Sequence, residues 1–256
     1  MSAEQHGLRT SELSVRYGGL VANDRVELRV EPGEIVGLIG PNGAGKTTFV
    51  DAVTGFTTAE GEVFLGGQRI DGLPPHQRRR RGLSRTWQAG ELFGNLTVAQ
   101  NIEVAVAHGG FGAIVRDLFG RRRASLGETV TAALRTVGLD GIEDTVTRDL
   151  SLGQQKLVGV ARALAGNGQV VLLDEPAAGL DSQESLEFAE RVRGIARGGP
   201  GVLLIDHDMS LVLGVCDRIY VMEFGKVIFT GTPAQARTDS RVIAAYLGVP
   251  MESAHA

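Results

Sequence analysis

Three short segments of the chain are almost wholly apolar, which is typical of strands buried on both faces of a parallel sheet. These segments are residues 33–40, 169–175 and 201–207. A helical pattern at residues 46–56 follows the first segment, and a helix that Asp181 can N-cap follows the second. The apolar face of this later helix is predicted to carry Leu186, Ala189, Val192 and Ile195. Strands that alternate with helices predict an α/β fold with a parallel sheet covered on both faces.

Other segments alternate polar and apolar positions, as half-buried strands do. Residues 8–17 and 25–31 show this alternation, and residues 61–67 form a further short strand candidate. Residues 218–231 predict a β-hairpin that turns near Phe224 and Gly225. These segments add half-buried strands to the predicted parallel core.

Residues 89–165 carry helical patterns and no clear buried strand. We interpret them as a helical lobe inserted into an α/β lobe that is formed by residues 1–88 and 166–256. Within the helical lobe, residues 108–127 are rich in glycine and arginine and predict a loop with a short helix. The chain of 256 residues is therefore predicted to form one domain with two closely joined lobes.

Composition narrows the class of protein. A hydrophobic content of 43% and a net charge of −4 describe an ordinary globular protein without an electrostatic reason to bind nucleic acid. The single cysteine, Cys216, excludes an internal disulfide framework and suits a reducing cytosol. The polar N-terminus does not resemble a signal peptide, and no apolar run is long enough to span a bilayer. The arginine run at residues 78–81 is expected to form a solvated helix or turn face.

Residues 40–47, GPNGAGKT, match the phosphate-loop pattern G-x-x-x-x-G-K-[ST] between a buried strand and a helix. Its glycines allow successive backbone N–H groups to face phosphate oxygens, and the helix adds its positive N-terminal end. Lys46 can reach the β- and γ-phosphates, and the Thr47 hydroxyl can bind Mg²⁺. The alternative is a glycine-rich turn without a ligand. The predicted ATP-binding residues here are Gly40, Pro41, Asn42, Gly43, Ala44, Gly45, Lys46, Thr47 and Thr48.

Residues 170–176, VVLLDEP, form a buried strand that ends in two adjacent carboxylates. The carboxyl edge of a parallel sheet is where such folds bind ligands, so both acids are expected beside the phosphate loop. Asp174 is predicted to hold Mg²⁺ through water, and Glu175 to act as general base on the attacking water. The alternative is a solvated pair of loop acids.

With LSLGQQK at residues 150–156, the chain resembles the ATP-binding cassette family, whose signature sequence is LSGGQ. Ser151, Gly153 and Gln154 are retained, whereas Leu152 replaces the first glycine. The resemblance implies that these residues bind the γ-phosphate held by a second subunit; the alternative is an ordinary helix N-cap. It also implies a P-loop NTPase fold, with a RecA-like parallel core, an N-terminal antiparallel β part and an inserted helical subdomain, and it covers essentially the whole chain.

Four further positions match the family in order along the chain. Tyr17 resembles the aromatic residue that stacks on adenine, unless it is a core tyrosine at a strand end. Gln88 resembles the glutamine that contacts Mg²⁺ and the attacking water, unless it is a plain surface residue. Asp181 in AAGLD resembles the acid of the loop that reaches across the dimer, a role that can coexist with helix capping. His207 resembles the switch histidine that contacts the γ-phosphate, although a lone histidine is usually structural.

The branch of the family that the chain resembles is the ATP-binding subunit of bacterial branched-chain amino acid importers. The matching stretches include YGGL (17–20), SRTWQ (84–88), DEPAAGLD (174–181), DHDMSLV (206–212) and VIAAYLG (242–248). Two departures, Trp87 in place of phenylalanine and Asp206 in place of glutamate, are expected to matter little. Importers of urea and short amides have similar ATPases, so the motifs do not identify the transported solute.

This resemblance implies that the cofactors are ATP and Mg²⁺ and that the protein is located at the cytoplasmic face of the plasma membrane. The implied partners are a second ATPase subunit, identical or more often different, two membrane permeases and, indirectly, a solute-binding protein. Cassette ATPases of translation or DNA repair are the non-transport alternative. The former carry two cassettes and the latter a long coiled coil, neither of which the sequence shows. A binding-only cassette is a third alternative, which the presence of both Glu175 and His207 disfavours.

Overall fold

The structure is a computed structural model that describes residues 7–86, 92–106, 121–165, 168–207 and 209–247. The strands are β1 (Leu8–Tyr17), β2 (Leu20–Val30), β3 (Ile35–Ile39), β4 (Glu60–Leu65), β5 (Gln68–Arg69), β6 (Leu83–Thr86), β7 (Val170–Asp174), β8 (Gly201–Ile205), β9 (Arg218–Glu223) and β10 (Lys226–Gly231). The helices are α1 (Lys46–Thr54), α2 (Pro75–Arg80), α3 (Val98–Val106), α4 (Arg121–Val137), α5 (Leu152–Leu164), α6 (Ser182–Arg197), α7 (Met209–Val215), α8 (Pro233–Ala236) and α9 (Ser240–Leu247), with a 3-10 turn at Thr147–Asp149. Within the described ranges, no helix combines the length and apolar character needed to cross a bilayer.

Two sheets form the α/β part. The larger has the order β10-β9-β3-β8-β7-β6, and its strands are parallel except β10, which pairs antiparallel with β9. The smaller is antiparallel, with the order β2-β1-β4-β5. The strands β3, β8 and β7 are neighbours, so the segments that follow their carboxyl ends lie side by side at one edge of the larger sheet.

The larger sheet separates the hydrophobic core into two parts. Because successive side chains of a strand point to opposite faces, Val36 and Leu38 of β3 pack with the antiparallel sheet and α1. Ile35 and Ile39 belong to the other part, which includes residues of α3, α4, α5 and α6. Burial on both faces explains why the predicted core strands are apolar at nearly every position.

Several predicted elements are confirmed with shifted ends. Helix α1 ends at Thr54, where Gly55 adopts a left-handed conformation with φ +85°. Strand β2 begins at Leu20, earlier than predicted. Residues 121–127 were predicted to belong to a loop with a short helix, but they begin the 17-residue helix α4. Residues 107–120 lie outside the described part of the chain.

The apolar face predicted for α6 is wrong at one position. Leu186 is 65% exposed, whereas Phe188, Ala189, Val192 and Ile195 are buried. Phe188 and Leu186 are separated by about 200° around the helix, since each residue turns it by roughly 100°. The helix therefore buries a face centred on Phe188 and Val192, and Leu186 lies on the opposite side.

The arginine run also differs from the prediction. Arg78 is only 5% exposed, and its guanidinium donates hydrogen bonds to the carbonyl oxygens of Ala52, Val53, Leu73 and Asp71. Arg79, Arg80 and Arg81 are exposed, as expected for a solvated face. Arg78 instead donates to backbone carbonyls at the C-terminal end of α1, where the regular hydrogen bonds of the helix end.

Strand β6 was not predicted. Only Leu83 among its four residues is strongly apolar, yet β6 pairs in parallel with β7 from Leu83↔Val170 to Thr86↔Leu173. It is the edge strand of the larger sheet and leads into residues 87–91, which lie outside the described residues. Its place beside β7 brings Arg85 next to the predicted carboxylate pair.

Candidate active site

The loop between β3 and α1 contacts neighbouring backbone so closely that it needs glycine. A Cβ atom at Gly40, where φ is +150°, would lie 2.1 Å from the carbonyl oxygen of Met222. At Gly45, the N-cap of α1 with φ +99°, a Cβ atom would lie 2.5 Å from the carbonyl oxygen of Ala22. The backbone thus follows a path that other residues cannot take without displacing β2 or the β9–β10 hairpin.

The remaining loop residues divide into buried and accessible groups. Ala44 is buried, and its N–H donates to the Pro41 carbonyl oxygen at 3.2 Å. The Gly225 N–H of the hairpin turn donates to the Ala44 carbonyl oxygen at 3.0 Å, and this hydrogen bond ties the phosphate loop to the β9–β10 hairpin. Asn42, Gly43 and Thr47 are exposed, and Pro41 and Thr48 are half-buried. The accessible groups include the Thr47 hydroxyl at the start of α1.

Lys46 folds back over this loop. Its Nζ donates hydrogen bonds to the carbonyl oxygens of Gly40 at 2.6 Å and Pro41 at 3.0 Å. Burial lowers the pKa of Lys46, and the negative charges of Glu175 and Asp174 act in the opposite direction. The structure therefore brings the two predicted acids within electrostatic reach of the lysine, as the sequence predicted.

Asp174 and Glu175 differ in their surroundings, although they are adjacent. Asp174 is the last residue of β7 and is 4% exposed. Glu175 has a left-handed backbone with φ +46°, and its N–H donates to the Ile205 carbonyl oxygen at 2.7 Å. Its side chain is 35% exposed. One acid is buried in the sheet edge and the other reaches the open side.

His207 follows β8 and lies beside Glu175. Its Nδ1 is 3.7 Å from Glu175 Oε1, and the imidazole is 64% exposed. The backbone N–H of His207 donates to Asp206 Oδ1 at 2.8 Å, and Asp206 is only 2% exposed. Asp206, which the sequence analysis treated as a minor departure, is therefore a buried acid that holds the His207 backbone.

The helices α5 and α6 begin with matching capping boxes. Ser151 Oγ accepts from the Gln154 N–H at 3.2 Å, and Gln154 Oε1 accepts from the Ser151 N–H at 3.0 Å. Asp181 Oδ1 likewise accepts from the Glu184 N–H at 2.8 Å, and the Glu184 carboxylate accepts from the Asp181 N–H. The predicted capping roles are confirmed.

These two helix starts lie together. A Cβ atom at Gly179 would lie 3.2 Å from the Leu152 side chain, and one at Gly153 would lie 3.9 Å from Leu180. Ser151, Leu152 and Asp181 are exposed, and Gly153 and Gln154 are half-buried. They form one accessible surface, which includes the apolar Leu152.

Tyr17 is not a core residue. It is 52% exposed at the end of β1, and its hydroxyl lies 3.2 Å from Thr57 Oγ1. The alternative of a buried strand-end tyrosine is therefore wrong, and its ring is available to a ligand. Gln88, the predicted glutamine of the site, belongs to residues 87–91 and lies outside the described residues.

Two basic residues beside the acids were missed by sequence reasoning. Arg85 donates from Nη2 to Asp174 Oδ2 at 2.7 Å. Lys156 of α5 is half-buried; burial lowers its pKa, while the charges of Asp206 and Glu175 act in the opposite direction. The available signals were weak: Arg85 lies inside SRTWQ, and Lys156 is one of only three lysines in the chain.

A protein-family model described as "ABC transporter" matches residues 23–178, more than half of the chain. The chain belongs to the ABC transporter family. A second model, described as "Branched-chain amino acid ATP-binding cassette transporter", matches residues 226–251 of this ABC protein. ATP-binding proteins of ABC transporters are ATPases, so this chain binds and hydrolyses ATP.

Curated relatives extend over nearly the whole ABC chain. It is 38% identical over 248 residues to the "High-affinity branched-chain amino acid transport ATP-binding protein LivG" of Escherichia coli K12, covering 94% of this chain and 97% of that one. It is 37% identical over 248 residues to BraF of Pseudomonas aeruginosa, with the same coverage. The "Lipopolysaccharide export system ATP-binding protein LptB" of Haemophilus influenzae is 36% identical over 242 residues, covering 94% and 97%.

Solved structures of ABC proteins share the fold. The ADP conformation of MJ1267, "an ATP-binding cassette of an ABC transporter", aligns with a TM-score of 0.83 at 28% identity, covering 95% of this chain and 99% of that one. A nucleotide-free ATP-binding cassette aligns with a TM-score of 0.81 at 27% identity, covering 94% and 98%. The predicted fold class, a P-loop NTPase of α/β architecture with helices packed on it, is confirmed.

Proposed function

We propose that this ABC ATPase hydrolyses Mg-ATP between two paired subunits and thereby drives the import of branched-chain or related amino acids through membrane permeases. The observation that carries the hydrolytic part is the meeting of Lys46, Asp174, Glu175 and His207 at the carboxyl edge of the larger sheet. They come from three segments, at or after the ends of β3, β7 and β8, and together they provide a cation, a buried acid, an accessible acid and an imidazole.

The phosphates are held by residues 40–48. Lys46 exchanges the carbonyl oxygens of Gly40 and Pro41 for phosphate oxygens, which are stronger partners because they are charged. The N-terminal end of α1 adds its positive partial charge. The exposed ring of Tyr17 stacks on the adenine base. The phosphate end and the base end of ATP therefore have separate binding groups.

Mg²⁺ fits the oxygen donors at this site. The Thr47 hydroxyl is exposed and Asp174 offers a carboxylate, and we assign a third contact to Gln88. Among the described residues no cluster of three or more histidine, cysteine or acidic side chains could hold a metal alone. This suits Mg²⁺, which keeps several waters and takes its other ligands from phosphates. Bound there, it would neutralise phosphate charge during hydrolysis.

Glu175 acts as the general base. Its side chain is 35% exposed, so a water molecule can reach it, and Asp174 beside it is engaged by Arg85. The carboxylate accepts the proton of the attacking water as the water oxygen bonds to the γ-phosphorus, and the bond from that phosphorus to the bridging oxygen breaks so that ADP leaves. His207, 3.7 Å away, donates a hydrogen bond toward the γ-phosphate and is positioned by Asp206.

The second subunit completes each site. Ser151, Gly153 and Gln154 at the start of α5, with Asp181 at the start of α6, face the γ-phosphate that the other chain holds. Their accessibility supports this proposal, and so does the exposure of Leu152, an apolar residue that pairing would cover. Since amino acid importers of this type usually pair two different ATPases, we propose a heterodimer rather than a homodimer.

A groove beside the site offers a place for the permease. A cavity of about 510 Å³ lies between α2, α3, α5 and the end of β6, and it is lined by Phe56, Arg79, Val104 and Gln155, among others. Phe56 and Val104 are exposed apolar side chains that a partner helix would cover. The groove supports the proposal that the chain is a peripheral subunit at the cytoplasmic face of the membrane, and we propose no nucleic acid partner.

We infer the transported solute from the similarity of this chain to known transport proteins. Overall identity does not separate import from export, because LivG at 38% and LptB at 36% are almost equally similar. The match of residues 226–251 to a branched-chain amino acid cassette model favours the importer branch over urea or short-amide importers. Uptake of labelled leucine, urea and acetamide in cells with and without the gene tests this choice. Loss of urea or acetamide uptake with normal leucine uptake would reject it.

Substitution of Glu175 tests the hydrolytic mechanism. Glu175→Gln keeps the size of the side chain and removes its basicity, so ATP turnover should fall by about 10²-fold or more while Mg-ATP binding persists. Gel filtration with ATP should then show a trapped dimer with the partner ATPase. Glu187→Gln, on the exposed face of α6, is the matched control. Turnover by Glu175→Gln at the rate of the control would disprove the assignment of the base.

A further inference from the structure

Arg85 joins one buried and one partly exposed carboxylate beside the active site. Its Nη2 donates to Asp174 Oδ2 at 2.7 Å and its Nη1 to Asp51 Oδ1 at 2.5 Å. The side chains of Arg85, Asp174 and Asp51 are 7%, 4% and 31% exposed. The partners lie 34 and 89 positions from Arg85 in the sequence, so this bridge is visible only in three dimensions.

The three residues come from three different elements. Arg85 lies in β6, Asp174 ends β7, and Asp51 lies in α1, five residues after Lys46. A planar guanidinium can hold two carboxylates at once through separate nitrogens, whereas the ammonium of a lysine is a compact point charge. Arg85 therefore ties the helix that begins at the phosphate loop to the acid at the sheet edge.

The bond from Arg85 engages one oxygen of the buried acid. Asp174 is 4% exposed, so the guanidinium offsets part of the cost of burying its charge. The bond to Arg85 uses Oδ2 of Asp174, and a carboxylate has lone pairs on both oxygens. Holding one oxygen fixes the rotation of the carboxylate and thereby the placement of the other.

We propose that Arg85 is a positioning residue that orients Asp174 for Mg²⁺ and links this orientation to α1 through Asp51. The proposal rests on the assignment of Asp174 to Mg²⁺ in the proposed function. Arg85 itself does not touch the nucleotide; it acts through the carboxylate. Residues that orient a metal-binding group typically change metal affinity or activity by about 10–100-fold when they are replaced.

The test compares nucleotide binding with and without magnesium. A fluorescent ATP analogue is titrated onto wild type, Arg85→Lys, Arg85→Met and the control Arg80→Met, first in EDTA and then at increasing Mg²⁺ concentration. In EDTA the affinities should agree within about twofold. The Mg²⁺ concentration for half-maximal enhancement of binding should rise by at least about 10-fold in Arg85→Lys and further in Arg85→Met, and the same shift should appear in ATP turnover. Arg80→Met should match wild type, because Arg80 is exposed on α2.

A purely structural role would give a different result. Thermal stability would then fall and binding would weaken equally in EDTA and in Mg²⁺. That outcome overturns the proposal, and so does an unchanged Mg²⁺ requirement in Arg85→Lys, which decides the matter should Arg85→Met fail to fold. A wild-type protein whose ATP binding does not respond to Mg²⁺ at all refutes the proposed function itself. The two failures are therefore distinguishable in one titration series.

Discussion

Replacing Arg78 by methionine should destabilise the protein through the helix that carries the phosphate loop. The guanidinium donates to Leu73 O at 2.8 Å, Ala52 O at 2.8 Å, Val53 O at 2.7 Å and Asp71 O at 2.5 Å. Two of these carbonyls belong to the last turn of α1. Methionine keeps most of the apolar stem and loses every donor, so the carbonyls are left buried without this partner.

The size of the effect follows from the four hydrogen bonds. Each contributes roughly 0.5–1.5 kcal/mol net, and a cation at a helix C-terminus adds about 0.3–1 kcal/mol. Burial of the charged group opposes these gains, which is why desolvation lowers the pKa of Arg78. We therefore expect a loss of about 3 kcal/mol in the free energy of unfolding. Arg78→Lys should lose about half as much, since it keeps the charge and fewer donors.

Thermal and urea-induced unfolding followed by circular dichroism measure this loss. For a chain of this size a change of 1 kcal/mol shifts Tm by roughly 2–4 °C, so Arg78→Met should unfold about 6–12 °C lower. Arg80→Met is the matched control, because Arg80 lies in the same short helix and is exposed. A Tm for Arg78→Met within about 2 °C of the control would refute the reasoning, since the hydrogen bonds would then contribute almost nothing net.

Three further tests address the helix caps, the phosphate loop and the buried thiol. Ser151→Ala and Asp181→Ala should each lower the free energy of unfolding by about 1 kcal/mol, measured by urea titration; no change would contradict the capping boxes. Gly40→Ala should abolish ATP binding in an equilibrium assay, because its Cβ would meet the Met222 carbonyl oxygen at 2.1 Å. At Gly43 no atom lies within 4 Å of an added Cβ, but φ is +80°, so Gly43→Ala should bind ATP more weakly than wild type and better than Gly40→Ala; equal losses would count against the steric argument. Cys216 should resist a thiol reagent at pH 8 until the protein unfolds, because burial raises the pKa of its thiol; rapid labelling of the folded chain would show that the site is open.

The local features of the site could be predicted from the sequence because they depend on neighbouring residues. The phosphate loop needs glycines, a lysine and a threonine in a fixed order, and all of them lie in the consecutive residues 40–47. The same holds for the caps at Ser151 and Asp181, whose partners lie three residues ahead. An apolar strand that ends in two acids also predicted that Asp174 and Glu175 lie at the carboxyl edge beside the loop.

Contacts between distant segments were decided only by the tertiary structure. A run of arginines predicts a solvated face. The four carbonyl oxygens that accept from Arg78 come close to it only when α1 and α2 pack, so the sequence does not reveal them. Arg85 meets Asp174 because β6 pairs with β7 across 86 intervening residues, as the pairing Arg85↔Leu172 shows. Pairing of that kind depends on the backbone of β7 rather than on the polar sequence of β6. Features that depend on neighbouring residues can therefore be identified from the sequence. The partners of buried charges cannot, because they depend on which surfaces the whole fold brings together.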